Sequence, residues 1–250
     1  MHHESPHEAI RRQSLNVPHL TDHHPEAGQS AAIEADRAFL ARSLAHHPDT
    51  ESVARFVPGP GIERLNVSFD IERLREALGI ALERMGERAT TLTDGFGAFS
   101  LVRRPGADRE TANDLSGLFH TRVDDSYAEV AREEVVDESA FTEFVPSLAD
   151  TYFHEIWATL KRVAPLGRVR VLSKGLYNCN SWHRDPEPRL HLPIVSNPGS
   201  LFVVNHHVTH LPADGSVYFT DTRGYHTALN GGESHRVHLV AALPLGLGGR

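Results

Sequence analysis

Three residues in the last third of the chain have the types and spacing to bind one metal ion. His183 and Asp185 are two positions apart, so in an extended segment both side chains leave the same face. His226 follows 43 residues later, at the start of a later predicted strand. Two imidazoles and one carboxylate on one side of a metal leave about three coordination positions open. This open arrangement is typical of non-haem iron(II) oxygenases, whereas structural metal sites are closed.

Two arginine–histidine pairs accompany these residues. Arg236 lies ten residues beyond His226, and Arg236 and His238 are two positions apart, as are Arg189 and His191. In a strand, both members of such a pair point inward if either does. A buried arginine needs an anionic partner, because an unpaired internal charge is very costly. A dicarboxylate could meet the guanidinium with one carboxylate and chelate the metal through a 2-oxo acid group. Arg189 and His191 could bind the same acid or the substrate.

The motifs HRD, RLHL, YHTALNGG and RVHLV, in this order, resemble the aspartyl/asparaginyl β-hydroxylase-like family of iron(II)/2-oxoglutarate-dependent dioxygenases, which includes bacterial free-proline hydroxylases. The resemblance covers residues 167–243. It implies that the iron(II) ligands are His183, Asp185 and His226. It also implies that the 2-oxoglutarate-binding residues are Arg236, Arg189 and His191. The asparaginyl hydroxylase branch lacks the metal-binding carboxylate, so Asp185 indicates the proline-hydroxylase type of triad.

The resemblance implies hydroxylation of an unactivated C–H bond, with O2 consumed and succinate and CO2 released. The expected substrate is a free or modified amino acid or a peptidyl residue. Asp185 holds the position that a halide would otherwise take, which favours hydroxylation over halogenation. Two alternatives remain open: a non-catalytic cupin-like module that binds a metal or a small acid, and a 2-oxoglutarate-independent metal enzyme on the same barrel. The second could recruit His191 or His238 as a metal ligand.

Several other residues near the motifs are weaker candidates. Ser173, on the preceding predicted strand, could contact 2-oxoglutarate, although an ordinary strand serine is the simpler interpretation. Trp182 could shield a metal, but large aromatic residues beside sites usually serve packing. Asn230 fits a turn with positive φ. The histidines of HHVTH, which are His206, His207 and His210, indicate a polar edge or turn rather than a second metal cluster.

The elements that must position these residues are short strands. RVRVLSK, starting at Arg168, alternates basic and apolar residues with period two. RLHLPIV, SLFVVNHHV, SVYFTD and HRVHLVAAL follow, separated by turn-forming segments such as NPGS and PADG. This spacing predicts an antiparallel sandwich or barrel. We therefore expect an α+β fold with a mainly β core, a double-stranded β-helix (jelly roll, cupin-like) over about residues 167–245 with flanking N-terminal helices.

The region before the barrel is predicted to be helical over about residues 29–165, within one domain of residues 29–250. One helix is expected from Ser30 to His46, a second after Asp70 and a third over residues 147–163. The apolar positions of the second are Ile71, Leu74, Leu78, Leu82 and Met85, and those of the third are Phe153, Ile156, Leu160 and Val163. Residues 49–66 are predicted to be a connection and Ala98–Arg103 a strand. Residues 104–145 are assigned to short helices and loops, and residues 1–28 to a disordered histidine-rich tail.

Composition excludes several classes of protein. The 250 residues suffice for one substantial core. The formal net charge is −8, so nothing favours binding to nucleic acid or an anionic membrane surface. The single cysteine, Cys179, excludes an intramolecular disulfide and a cysteine metal cluster. No apolar run approaches the roughly 18 residues of a membrane span, and we expect a cytoplasmic enzyme with a small-molecule or peptide substrate.

Overall fold

The segments of two-residue periodicity form antiparallel strands in the computed structural model of the chain, which describes residues 61–86, 95–108, 110–116, 120–122, 129–131, 136–204 and 207–244. The strands in chain order are β1 (Ile62–Ser68), β2 (Phe96–Ser100), β3 (Val102–Arg103), β4 (His120–Arg122), β5 (Glu129–Ala131), β6 (Glu143–Phe144), β7 (Val169–Lys174), β8 (Asn178–Cys179), β9 (His183–Arg184), β10 (Arg189–Val195), β11 (Ser200–Val204), β12 (His207–Thr209), β13 (Ser216–Thr220), β14 (His226–Asn230) and β15 (Arg236–Ala242). The helices are α1 (Ile71–Met85), α2 (Ala112–Leu115) and α3 (Tyr152–Val163), with 3-10 turns at Glu138–Ala140 and Pro146–Leu148.

Two facing sheets make up the barrel. The first, which we call the major sheet, has the strand order β1-β13-β10-β15-β7-β2. The second, the minor sheet, has the order β12-β11-β14-β9-β4-β5, with β8 also paired to β14. From β7 onwards the chain passes repeatedly from one sheet to the other, and the neighbouring strands are antiparallel. This is the double-stranded β-helix that the sequence predicts.

The outer face of the major sheet packs against α1 and α3. Alternate residues of β7, β10 and β15 join the helices in one apolar core. The members from the sheet include Val169, Val171, Leu190, Leu192, Ile194, Leu239 and Ala241, and those from the helices include Leu74, Leu78, Phe153, Ile156 and Leu160. Because side chains alternate along a strand, the polar residues between these apolar ones face the barrel interior. The strands RLHLPIV and RVHLVAA therefore turn their polar face inward.

Helix α1 confirms the prediction of a helix that begins after Asp70. The carboxylate of Asp70 accepts hydrogen bonds from the backbone N–H groups of Glu72 (2.9 Å) and Arg73 (3.1 Å), which is the usual N-cap arrangement. Leu74 and Leu78 are buried, and the other three predicted apolar positions pack on the same core. No helix of the described ranges is long and apolar enough to cross a membrane.

Helix α3 starts five residues later than predicted. Pro146 opens a separate 3-10 turn, and Thr151 has an extended backbone while its hydroxyl donates to the carbonyl oxygen of Leu148 at 2.7 Å. Residues 146–148 therefore form a separate 3-10 turn, and the α-helix begins only at Tyr152. Val163, expected to share a face with Phe153, Ile156 and Leu160, is 42% exposed whereas those three are buried, so that part of the prediction is wrong.

The region before the barrel contains more strand than the sequence indicates. The prediction that residues 49–66 form a connection is wrong for the part that the structure describes. There β1 occupies residues 62–68 and pairs with β13 at the edge of the major sheet. The predicted strand Ala98–Arg103 is divided between β2, which extends the major sheet, and β3, which pairs with β6. Six strands lie between residues 61 and 144, so this region is not simply helical. The predicted tail and the predicted helix at Ser30–His46 lie outside the described residues.

The N-cap of α1 gives a direct test of how this helix is stabilised. Asp70→Ala should lower the free energy of unfolding by about 1 kcal/mol, because two backbone N–H groups lose their acceptor. Asp70→Asn keeps a side-chain oxygen and should stay close to the wild type. Urea unfolding measures both variants, and an equal loss in the two would show that the capping oxygen is not the stabilising feature.

Candidate metal centre

The predicted metal ligands lie side by side in the minor sheet. His183 in β9 is the direct cross-strand partner of His226 in β14, and Asp185 follows immediately after β9. One potential ligand atom from each of the three residues lies within 4.8 Å of the others. Nε2 of His226 is 3.3 Å from Oδ2 of Asp185, and the two imidazole ring centroids are 4.2 Å apart. Residues 43 positions apart in the sequence thus converge on one point.

Backbone carbonyls orient both imidazoles. Nδ1 of His183 lies 2.7 Å from the carbonyl oxygen of Ser181, and Nδ1 of His226 lies 3.0 Å from that of Gly224. Each Nδ1–H therefore donates to a carbonyl, so the nitrogen that can coordinate a metal is Nε2. Burial and the neighbouring His226 lower the pKa of His183 to about 4, so His183 is neutral near pH 7, as a ligand must be.

The carboxylate of Asp185 is held by Arg189. Nη2 of Arg189 lies 2.9 Å from Oδ1 of Asp185, while Oδ2 has no hydrogen-bond partner among the described residues and faces His226. Burial works to raise the pKa of Asp185, but Arg189 and His226 together hold that pKa below its usual range. The backbone N–H of Asp185 donates to the carbonyl oxygen of Thr222 at 2.7 Å, which fixes the turn. One anionic oxygen thus remains directed at the two imidazoles.

Arg189 contacts the carboxylate of Asp185, whereas the resemblance implies that it binds 2-oxoglutarate. Besides Asp185, its guanidinium contacts Oε1 of Glu187 at 3.4 Å. Burial, followed by the nearby Glu138, raises the pKa of Glu187 to about 8, so Asp185 supplies the negative charge that Arg189 faces at neutral pH. Arg189 thus pairs with the carboxylate of Asp185. This function does not require contact with the cosubstrate.

The other predicted residues form a hydrogen-bonded row on the inner face of the major sheet. Nη2 of Arg236 lies 2.9 Å from Nδ1 of His238, and Nδ1 of His238 lies 3.3 Å from Nδ1 of His191. The row leads toward the triad, since His191 packs on Phe202, whose ring in turn stacks on His226 at 5.8 Å. Burial, then the charge of Arg236, lowers the pKa values of both histidines in the row well below normal. Both are neutral, and neither belongs to the group of possible metal ligands found in the described ranges.

The triad fits a divalent first-row metal. Its donors are two neutral imidazole nitrogens and one ionised carboxylate oxygen, the set that non-haem iron(II) sites use, and they leave coordination positions open. A bound metal would also give the buried Oδ2 of Asp185, which has no hydrogen-bond partner among the described residues, the partner that a buried carboxylate oxygen requires.

Lys174 and Asn230 have positions in the structure that the sequence did not predict. Lys174 is 2% exposed and lies opposite Arg236 across β7 and β15. The period-two pattern of RVRVLSK could have revealed it, because Lys174 shares a face with the inward residues Arg170 and Leu172. Asn230 does not have the expected positive φ, since Tyr177 is the one non-glycine residue with positive φ in the described part. It is instead the extended last residue of β14.

The side chain of Asn230 connects three segments near the site. It is 1% exposed, and its Nδ2 donates to the carbonyl oxygens of Lys174 (3.3 Å), Gly175 (2.9 Å) and Ser234 (2.8 Å). Its Oδ1 accepts from Nδ2 of Asn197 at 3.0 Å. The end of the strand that carries His226 is thereby attached to the end of β7 and to the turn before Arg236.

The weaker candidates fall outside the proposed metal and acid site. Ser173 pairs with Val237 and shares the helix-facing side of β7 with Val171, so it does not point into the barrel. His207 belongs to β12, at the edge of the minor sheet, in agreement with the predicted polar edge, and His206 lies outside the described residues. Trp182 is 48% exposed, so the packing role expected for it is wrong.

No family model matches this sequence, and no curated protein matches it. Among solved structures, the chain is similar to a 2OG-Fe(II) oxygenase family oxidoreductase from Burkholderia pseudomallei, with 13% identity, a TM-score of 0.46 and coverage of 77% of this chain and 87% of that one. It is similar to a cupin domain from Bordetella pertussis Tohama I, with 17% identity, a TM-score of 0.27 and coverage of 30% and 78%. It is also similar to a Trichoplax adhaerens prolyl hydroxylase in complex with a hypoxia inducible factor peptide, with 10% identity, a TM-score of 0.39 and coverage of 87% and 93%. At these values the function has to be argued from the site itself.

The connections made by Asn230 can be tested by substitution. Asn230→Ala should lower the free energy of unfolding by at least about 2 kcal/mol, because buried carbonyl oxygens lose their donors. Asn66→Ala, at an exposed position of β1, is the control and should be nearly silent. Denaturant unfolding measures both, and a loss of less than about 0.5 kcal/mol at Asn230, the size typical of a surface substitution, would contradict this role.

Proposed function

We propose that this chain is an iron(II)/2-oxoglutarate-dependent dioxygenase that hydroxylates an unactivated C–H bond of a free or modified amino acid or a peptidyl residue. The observation that carries the proposal is the convergence of His183, Asp185 and His226 within 4.8 Å in the same barrel interior as the buried Arg236. A metal triad alone would fit several enzymes. The combination with an inward arginine is what favours a 2-oxo dicarboxylic acid as cosubstrate.

The roles of the residues follow from their positions. His183, Asp185 and His226 would hold iron(II), and Arg189 would keep the carboxylate of Asp185 ionised and oriented. Arg236 would bind the distal carboxylate of 2-oxoglutarate through its guanidinium. Bound iron(II) would supply O2 activation coupled to oxidative decarboxylation: one oxygen atom enters succinate, CO2 leaves, and the other oxygen becomes the hydroxyl group of the product. The surrounding residues bind, orient and exclude water.

The contacts in the barrel disfavour the two alternatives. A 2-oxoglutarate-independent metal enzyme would be expected to use further histidine ligands, yet neither His191 nor His238 belongs to the group of possible metal ligands in the described ranges. Their Nδ1 atoms instead contact each other, and that of His238 also contacts Arg236. A non-catalytic metal-binding module would not require an inward Arg236 that is 5% exposed, because burying a guanidinium is costly without an anionic ligand.

The proposal is tested by succinate release from iron(II), 2-oxoglutarate and O2 in a screen of free and peptidyl amino acids. One substrate class should stimulate succinate release, and Asp185→Ala should abolish that stimulation because a metal ligand is lost. Asp185→Asn keeps an oxygen but loses the charge and should be impaired less. Asp150→Asn, at a carboxylate whose side chain is 68% exposed on the surface, is the matched control.

Two outcomes would contradict the proposal. Wild-type turnover in both Asp185 variants would exclude Asp185 as a ligand. An iron-loaded protein that consumes no 2-oxoglutarate, with or without any candidate substrate, would favour one of the two alternatives.

Arg236→Lys should weaken 2-oxoglutarate binding about 10- to 100-fold while iron affinity stays unchanged. Lysine keeps the positive charge but loses the two-pronged contact with the carboxylate, and a charge-assisted hydrogen bond contributes about 1.5–3 kcal/mol. The measurements are the concentration of 2-oxoglutarate at half-maximal turnover and an iron titration. Arg84→Lys, on the outer surface, is the control. An unchanged 2-oxoglutarate dependence would move the acid-binding site to another cation, with Arg189 the first to test.

A further inference from the structure

Lys174 lies directly opposite Arg236 on the inner face of the major sheet. The two residues are cross-strand partners in β7 and β15 and are 2% and 5% exposed. The chain contains only two lysines. The other, Lys161, is on α3, where its ammonium lies 4.3 Å from the centre of the Trp157 ring. Of the two lysine side chains, that of Lys174 is therefore buried in the barrel interior.

The ammonium of Lys174 is held in place by neutral partners. Nζ donates to Oδ1 of Asn178 (3.0 Å) and Oδ1 of Asn180 (2.5 Å) and lies 5.8 Å from the centre of the Phe96 ring. An ammonium has three N–H donors, so these two hydrogen bonds leave one for another acceptor. Arg236 likewise bonds only to His238 among the described residues. None of the ion pairs within the described ranges brings a carboxylate to either cation.

Two like charges at directly opposed strand positions destabilise a sheet, and burial adds to the cost. Burial, and next the charge of Arg236, lowers the pKa of Lys174 to about 8, while the nearby Cys179 thiol works in the opposite direction. Burial lowers the pKa of Arg236 to about 10. An anionic group bound between the two cations would offset this cost and favour the charged form of both.

We propose that Lys174 is a second cosubstrate-binding residue and that, with Arg236, it binds the distal carboxylate of a 2-oxo dicarboxylic acid. The guanidinium would take one edge of the carboxylate and the ammonium one of its oxygens. The amides of Asn178 and Asn180 hold Lys174 in that position. The pair makes the site selective for dicarboxylic over monocarboxylic 2-oxo acids. This proposal rests on the proposed function and extends it by a residue that determines cosubstrate selectivity.

The test compares two acids that differ only in the distal carboxylate. Anaerobic calorimetry measures the binding of 2-oxoglutarate and of 2-oxopentanoate to the iron(II)-loaded protein. Lys174→Met should weaken 2-oxoglutarate binding about 10- to 100-fold and leave the affinity for 2-oxopentanoate unchanged. Lys174→Arg should restore part of the difference. Lys161→Met removes the other lysine charge and should change neither affinity.

The outcomes separate this proposal from the one on which it rests. An equal loss for both acids, or no loss for either, would overturn the role of Lys174 while leaving the oxygenase assignment in place. A wild-type protein that binds neither acid in the presence of iron(II) would overturn the proposed function and the cosubstrate role together. If Lys174→Met does not fold, Lys174→Gln keeps an amide donor for the two asparagines. In that variant, unchanged selectivity for 2-oxoglutarate would overturn the proposal, and loss of selectivity would support it.

Discussion

The interior of this barrel is organised by the requirement that buried charge be compensated. The outer face of the major sheet packs against α1 and α3, which bury the apolar residues of β7, β10 and β15. The period of the strand then forces the intervening residues into the space between the sheets. Arg170, Lys174, Arg189 and Arg236 all lie on these strands and are at most 9% exposed. Buried positive charges of this kind need anionic side chains, hydrogen-bond acceptors or anionic ligands.

The barrel meets this requirement differently at its two ends. Near the triad, the compensation is internal: Arg189 is paired with Asp185 at 2.9 Å, and the same contact leaves the other carboxylate oxygen facing His226. At the other end, Lys174 and Arg236 have only neutral partners among the described residues. A molecule with a metal-chelating end and a distal carboxylate would therefore complement both ends at once.

The sequence predicted the parts of this arrangement that depend on local periodicity. Spacing by two placed His183 with Asp185, and the inward direction of Arg236 followed from the alternation in its strand. The N-cap at Asp70 was equally local. Each of these predictions depends on residues close to one another in the chain, and the structure has all of them as expected.

The features that were missed depend on distant contacts. Strand β1 does alternate, since Leu65 and Val67 pack on the core while Asn66 and Ser68 are exposed. So short a run next to VPGPG is a weak local signal, however, and its place in the sheet depends on pairing with the distant β13. Asn230 looks like a turn residue in ALNGG, but its role comes from carbonyl groups 55 and 56 positions earlier in the chain. The alternation of RVRVLSK could have placed Lys174 on the inward face, but its position opposite Arg236 depends on the register between β7 and β15.

The most direct measurement of the central claim is the visible absorption spectrum of the protein with iron(II) and 2-oxoglutarate under anaerobic conditions. Bidentate chelation of the metal by a 2-oxo acid gives a weak charge-transfer band, and the arrangement of the triad and Arg236 predicts that band with one iron per chain. His226→Ala should remove the band, because the metal loses one of its imidazole ligands. A wild-type protein that shows no such band at saturating iron(II) and 2-oxoglutarate would contradict the account.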